Sequence, residues 1–166
     1  MKTAIVYSSK YGTTKSCAAL LENSLSDSVT LINIEESPNT TIDLATFDTV
    51  IIGGAIHMGK ISKKLNQFCQ DNLQDLLTKQ VAIYLCCGFS EEYANYLQEN
   101  FPKTLLTKAT ITAHFGGETK LDSMKLLDKL IVKAALKNRP EALHLIHENI
   151  TGFSQYLNYT SSQLIK

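Results

Sequence analysis

Three short stretches of this chain are apolar without interruption: Ala4-Ile5-Val6-Tyr7, Val50-Ile51-Ile52 and Val81-Ala82-Ile83-Tyr84-Leu85-Cys86. A strand with one face in water alternates apolar and polar residues. Runs this short with no alternation need cover on both faces, which is the situation of a central strand in a parallel sheet. Two further runs read as strands with more polar interruption, Val29–Ile34 and residues 109–115 (ATITAHF), and the second apolar run extends to Phe47–Gly53. Between the strands lie helical patterns. One starts at about Thr14, with Ala18, Leu21 and Leu25 at i, i+3 and i+7. Others cover 61–77, with Leu65, Phe68, Cys69, Leu73, Leu76 and Leu77 inward, then 91–100 with a stop near Pro102, 122–137 and 148–159. Strands alternating with helices predict an α/β fold, a doubly wound parallel sheet with right-handed crossovers that place helices on both faces. With no repeat, linker or low-complexity tract, residues 1–166 read as one domain.

The turn after the first strand carries the most chemistry. Ser8-Ser9-Lys10-Tyr11-Gly12-Thr13-Thr14 sets four hydroxyls of Ser and Thr around one glycine, between a buried strand and a helix N-terminus. That junction presents backbone N–H groups at the positive end of a helix dipole, so it suits a phosphate. It is not a Walker loop, because no Gly-Lys-Ser/Thr follows. A single glycine also separates it from the Gly-x-Gly-x-x-Gly dinucleotide turn.

The segment 4–21 resembles the FMN-phosphate loop of flavodoxins. Ile5, Val6, Tyr7, Ser9, Gly12, Thr14, Ala18 and Leu21 fill every specified place of that family's pattern. The resemblance implies a five-stranded sheet in the order 2-1-3-4-5, FMN as cofactor, and a crevice between strands one and three where the order reverses. It implies that Ser8, Ser9, Lys10, Gly12, Thr13 and Thr14 hold the phosphate and that Tyr11, in the same turn, is among the cofactor-binding residues. The loop after strand three, Gly54-Ala55-Ile56-His57-Met58-Gly59, and the loop after strand four, Cys87-Gly88-Phe89, would border the flavin ring. His57 has two readings, a contact to the flavin or substrate and an ordinary exposed loop histidine. The chain has no Trp, so Phe89 is the best aromatic candidate for stacking.

Charge and cysteine content narrow the partners. Lys+Arg and Asp+Glu balance at 16 each, so no global field favours nucleic acid, and the strongly acidic surface of flavodoxin electron carriers is missing. No run approaches a membrane span of about 20 apolar residues, and the first apolar run is too short for a signal sequence, so a cytoplasmic protein is expected. The four cysteines (17, 69, 86 and 87) and the histidines 114, 144 and 147 lack metal spacing, so no metal is expected. A cysteine at the end of a buried strand is usually inert packing.

Residues 120–139 (KLDSMKLLDKLIVKAALKNR) place Lys125, Lys129, Lys133 and Lys137 on one stripe, with Leu126, Val132 and Leu136 on the same side. Such a helix reads either as a membrane-surface or partner-binding face, or as a solvated helix whose leucines meet the last helix. Together with GGAIHMGKISKKLNQFC (53–69) and Gly116-Gly117, it is similar to the menaquinone-dependent protoporphyrinogen oxidases of the flavodoxin superfamily. That resemblance implies a quinone acceptor, a porphyrinogen-like substrate and peripheral membrane contact. Three functions remain open from the residues: an FMN oxidoreductase of that kind, a small electron carrier between redox protein partners, and a binding module that has kept the fold.

Overall fold

The computed structural model describes residues 1–36, 42–117 and 144–164. Five strands form one sheet: β1 Lys2–Tyr7, β2 Ser28–Asn33, β3 Thr49–Ala55, β4 Gln80–Cys86 and β5 Ile111–His114. The order is β2-β1-β3-β4-β5, and every neighbouring pair is parallel. The expected topology is therefore observed. The three apolar runs are β1, β3 and β4, the three central strands, and their residues are buried almost throughout.

Alternate residues of these strands feed two separate cores. Ala4, Val6, Val50, Ile52, Val81, Ile83 and Leu85 face one layer. Against it pack α2 (Lys63–Asp71), α3 (Leu73–Thr78), α4 (Tyr93–Asn100) and α5 (Lys103–Lys108). Ile5, Tyr7, Ile51, Ala82, Tyr84 and Cys86 face the other, covered by α1 (Thr13–Ser24) and α6 (His147–Leu164).

The long helical pattern over 61–77 is two helices. Asn72 interrupts it, because its Nδ2 donates to the Phe68 carbonyl at 2.9 Å while its own backbone N–H points there too. A side chain that competes for helical carbonyls ends the regular ladder. Leu65, Phe68, Cys69 and Leu76 are buried as the pattern requires. The chain stops α4 before Pro102 as expected, then forms the short helix α5, with Pro102 at its N-cap. The basic pattern at 122–137 lies outside the described residues.

Within the second core, Tyr84 stacks on Phe115 at 4.7 Å between ring centroids, and both meet Phe153 edge-on. The Tyr84 ring passes over Gly53, where a Cβ would collide with it. Gly53→Ala should therefore cost about 1–3 kcal/mol, the range for overpacking a filled core. Chemical denaturation of the variant checks this, and an unshifted midpoint would show that the ring yields freely.

Candidate functional site

The carboxyl ends of β1, β3 and β4 meet on one edge of the sheet, and the site residues expected from the sequence lie on the strand ends and loops there, with Thr13 and Thr14 in the first turn of α1. The β1 turn is anchored at its start by the Ser8 N–H, which donates to the Gly53 carbonyl at 3.1 Å. Gly12 then takes φ +96°, a conformation that favours glycine, and nothing stands within 4 Å of where its Cβ would be. Helix α1 starts directly after it. The Ser9 Oγ accepts from the Lys15 N–H at 3.2 Å, so this hydroxyl tethers the turn to the first turn of the helix. Thr13 and Thr14 are both buried.

Thr14 is held from beneath. Its carbonyl accepts the Tyr84 hydroxyl at 3.1 Å, from the middle of the aromatic cluster. Its own hydroxyl is buried, and among the described residues it has only the Cys86 thiol as a polar neighbour, a weak hydrogen-bond partner that leaves it short of a strong one. An orphaned buried donor at the mouth of a helix fits an anionic oxygen, because an unmade hydrogen bond there leaves a polar group desolvated and uncompensated.

Ser8 has a different employment. Its Oγ donates to Glu35 Oε1 at 2.7 Å, just beyond the end of β2. Ser62 and Lys64 also reach Glu35, with Lys64 Nζ at 3.4 Å from Oε2. Ser62 is at the same time the N-cap of α2, accepting from the Leu65 N–H at 3.2 Å. Glu35 thus ties the β1 turn to the start of α2. Burial opposes its charge, but the hydrogen bonds from Ser8, Ser62 and Lys64 and the Lys64 charge outweigh burial and hold the carboxyl below its ordinary value.

The β3 loop approaches the β1 turn through its rings. Tyr11 and His57 meet edge-to-face with centroids 5.7 Å apart, and Lys10 Nζ sits 4.9 Å from the Tyr11 centroid. His57 and Lys60 exchange both backbone hydrogen bonds around Met58-Gly59, and Met58, at the tip, is 87% exposed. Ala55 closes β3, and the Ile56 N–H donates to the Cys86 carbonyl at 3.0 Å. Gly54 lies deeper, within β3, where a Cβ would stand 3.0 Å from Leu65.

The β4 loop begins at buried Cys87 and continues through half-buried Gly88 and Phe89. Gly117 lies beside it, since a Cβ there would come within 3.2 Å of the Gly88 nitrogen. Cys17 and Cys86 place their sulfurs 3.6 Å apart in the core. The hydrogen bond with Cys17 and burial push the Cys86 thiol well above its ordinary value, and burial pushes Cys87 up to about 11. Cys86 and Cys87 are therefore protonated packing groups near neutral pH. Among the described residues no cluster of three or more His, Cys, Asp or Glu side chains is arranged to hold a metal ion.

Sequence reasoning missed Glu35, Ser62 and Tyr84 as parts of this site. Each lies far along the chain from what it supports: Glu35 is 27 residues from Ser8 and Tyr84 is 70 from Thr14.

A flavodoxin-domain family model matches residues 4–142, so the chain belongs to the flavodoxin family. Solved structures share its fold. A flavodoxin from Megasphaera elsdenii in its two-electron reduced form is 24% identical, with a TM-score of 0.53 over 68% of this chain and 84% of that one. A flavoprotein from Lactobacillus acidophilus in complex with FMN is 15% identical, with a TM-score of 0.52 over 68% of this chain and 92% of that one. A flavodoxin from the domain Archaea is 19% identical, with a TM-score of 0.51 over 83% of this chain and all of that one. No curated protein matches the sequence.

The Glu35 network makes stability depend on pH in one direction. A carboxyl held below its unfolded value contributes stability that is fully present above the unfolded value and disappears as pH falls through the folded one. Wild-type protein should therefore lose stability on acidification below about pH 4.5, where carboxylates begin to protonate, more steeply than Glu35→Gln. Parallel pH–stability curves for the two proteins would show that the three partners do not stabilise the charge.

Proposed function

We propose that this flavodoxin-family protein binds FMN and transfers electrons through it, exchanging them with a redox protein partner. The observation that carries the reading is the orphaned Thr14 hydroxyl, buried where a fully matched phosphate turn enters α1. Ser9, Lys10, Tyr11, Gly12, Thr13 and Thr14 bind the phosphate, and Ser8 supports them from behind through Glu35. The ring lies between the loop 54–59 and the loop 87–89. Bound FMN supplies the reversible uptake of electrons. The chain's own residues bind and orient it, and the Tyr11–His57 contact joins the phosphate turn to the ring-side loop.

Purified protein should take up FMN, seen as quenching of flavin fluorescence. Riboflavin should bind more weakly, since it lacks the charged group that strengthens such hydrogen bonds. Thr14→Val keeps the side-chain shape and removes the donor. Loss of a hydrogen bond to a charged group costs about 1.5–3 kcal/mol, or roughly 10- to 150-fold in affinity. Unchanged affinity in both Thr14→Val and Ser9→Ala would mean that the turn holds something else.

A finer reading makes the protein an oxidoreductase that oxidises a porphyrinogen-like compound and passes electrons to a quinone at a membrane surface. It is supported by the even charge balance and by the lysine stripe of 120–139, which lies outside the described residues. Among the described residues no helix is long and apolar enough to cross a membrane. Under this reading the protein co-sediments with anionic liposomes and is released by salt. Each lysine near such a surface is worth about 1 kcal/mol, so Lys129→Glu with Lys133→Glu abolishes binding while FMN affinity is kept. Wild-type protein that ignores liposomes and reduces no quinone leaves the electron-carrier reading.

A further inference from the structure

The tip of the ring-side loop is poorly equipped to hold its own shape. Met58 and Gly59 take φ +50° and +80°, two left-handed residues in succession, and one of them is not glycine. The backbone pair between His57 and Lys60 is the whole of its ladder. A two-residue ladder in water does not sustain a fixed conformation. The ion pair from Lys60 to Glu99, at 3.1 Å, joins two exposed side chains and adds little.

What holds the loop from beneath is Asn100, the last residue of α4, which is 3% exposed. Its Nδ2 donates to the Gly59 carbonyl at 2.9 Å and to the Tyr96 carbonyl at 2.8 Å. Its Oδ1 accepts from the Ile61 N–H at 3.0 Å. The amide therefore fixes the peptide planes on both sides of Lys60. Asn66 Nδ2 in turn donates to the Asn100 carbonyl at 3.0 Å, so α2 braces the residue that braces the loop. Buried and bonded at both ends of its amide, Asn100 is a rigid tie, because rotating it would leave donors and acceptors desolvated at once.

We propose that Asn100 is the positioning residue of the ring-side loop: it acts through Gly59 and Ile61 to hold the 56–60 segment against the flavin ring and leaves the phosphate turn to other groups. The inference rests on the FMN reading above. Asn100→Asp tests it. That substitution keeps an acceptor for the Ile61 N–H, removes both donated hydrogen bonds, and sets a carboxylate against two carbonyl oxygens.

Three quantities are measured on the full chain: the FMN dissociation constant, the inhibition constant of inorganic phosphate against FMN, and the midpoint potential of bound FMN. In Asn100→Asp the FMN affinity should fall about tenfold, the scale of one to two lost neutral hydrogen bonds. The midpoint potential should shift, and the inhibition constant of phosphate should stay within about twofold. Asn23→Ala, at an exposed position in the last turn of α1, should move none of the three. Should Asn100→Asp fail to fold, the smaller neutral Asn100→Ser is read by the same criteria. FMN affinity and potential unchanged in a folded variant would overturn the proposal. So would FMN and phosphate affinities falling together, which is general damage to the scaffold. Wild-type protein that takes up no FMN overturns the parent reading, and this one with it.

Discussion

The Tyr84 side chain connects the hydrophobic interior to the binding edge. Its ring is buried completely between Phe115 and Phe153, and its hydroxyl reaches across to the Thr14 carbonyl at 3.1 Å. It reaches because Gly53 in the intervening strand has no Cβ to block the path. A buried hydroxyl without a partner would be costly, so one hydrogen bond both satisfies Tyr84 and fixes the height of the helix start above the sheet. The position of the β1 turn is thus set by core packing as much as by the turn's own residues.

A second set of polar ties links the loops to one another. Glu35 gathers Ser8 from the β1 turn with Ser62 and Lys64 from the start of α2. Asn100 fixes the β3 loop from the end of α4. These groups sit in or near the crevice without being its obvious ligands. They explain how loops with few apolar contacts present a defined surface, since preorganised supports reduce what a ligand must order on binding.

The balance between carrier and enzyme turns on surface rather than fold. The family accounts for the sheet and its topology, and surface groups at the carboxyl ends of the strands distinguish one member from another. The loop after β3 exposes His57, Met58 and Lys60, with Lys60 paired to Glu99 of α4. With 16 charges of each sign the chain has no net charge to steer a partner, so any electrostatic steering comes from how those charges are distributed.

Residues close together in the chain determined much of this. Uninterrupted apolar runs identified the central strands β1, β3 and β4, because burial on both faces removes the two-residue alternation. The hydroxyl-rich stretch was legible as a strand-to-helix turn, because strand end, glycine and helix start are contiguous. Local pattern went astray where side chains act on backbone: Asn72 splits one helical pattern in two, and α5 forms after Pro102. Only the tertiary structure decided that Ser8 serves Glu35, that Gly53 makes room for Tyr84, and that Asn100 holds the loop 39–41 residues before it. Those assignments depend on which side chains a parallel sheet brings side by side after long crossovers, and spacing along the chain carries no record of that.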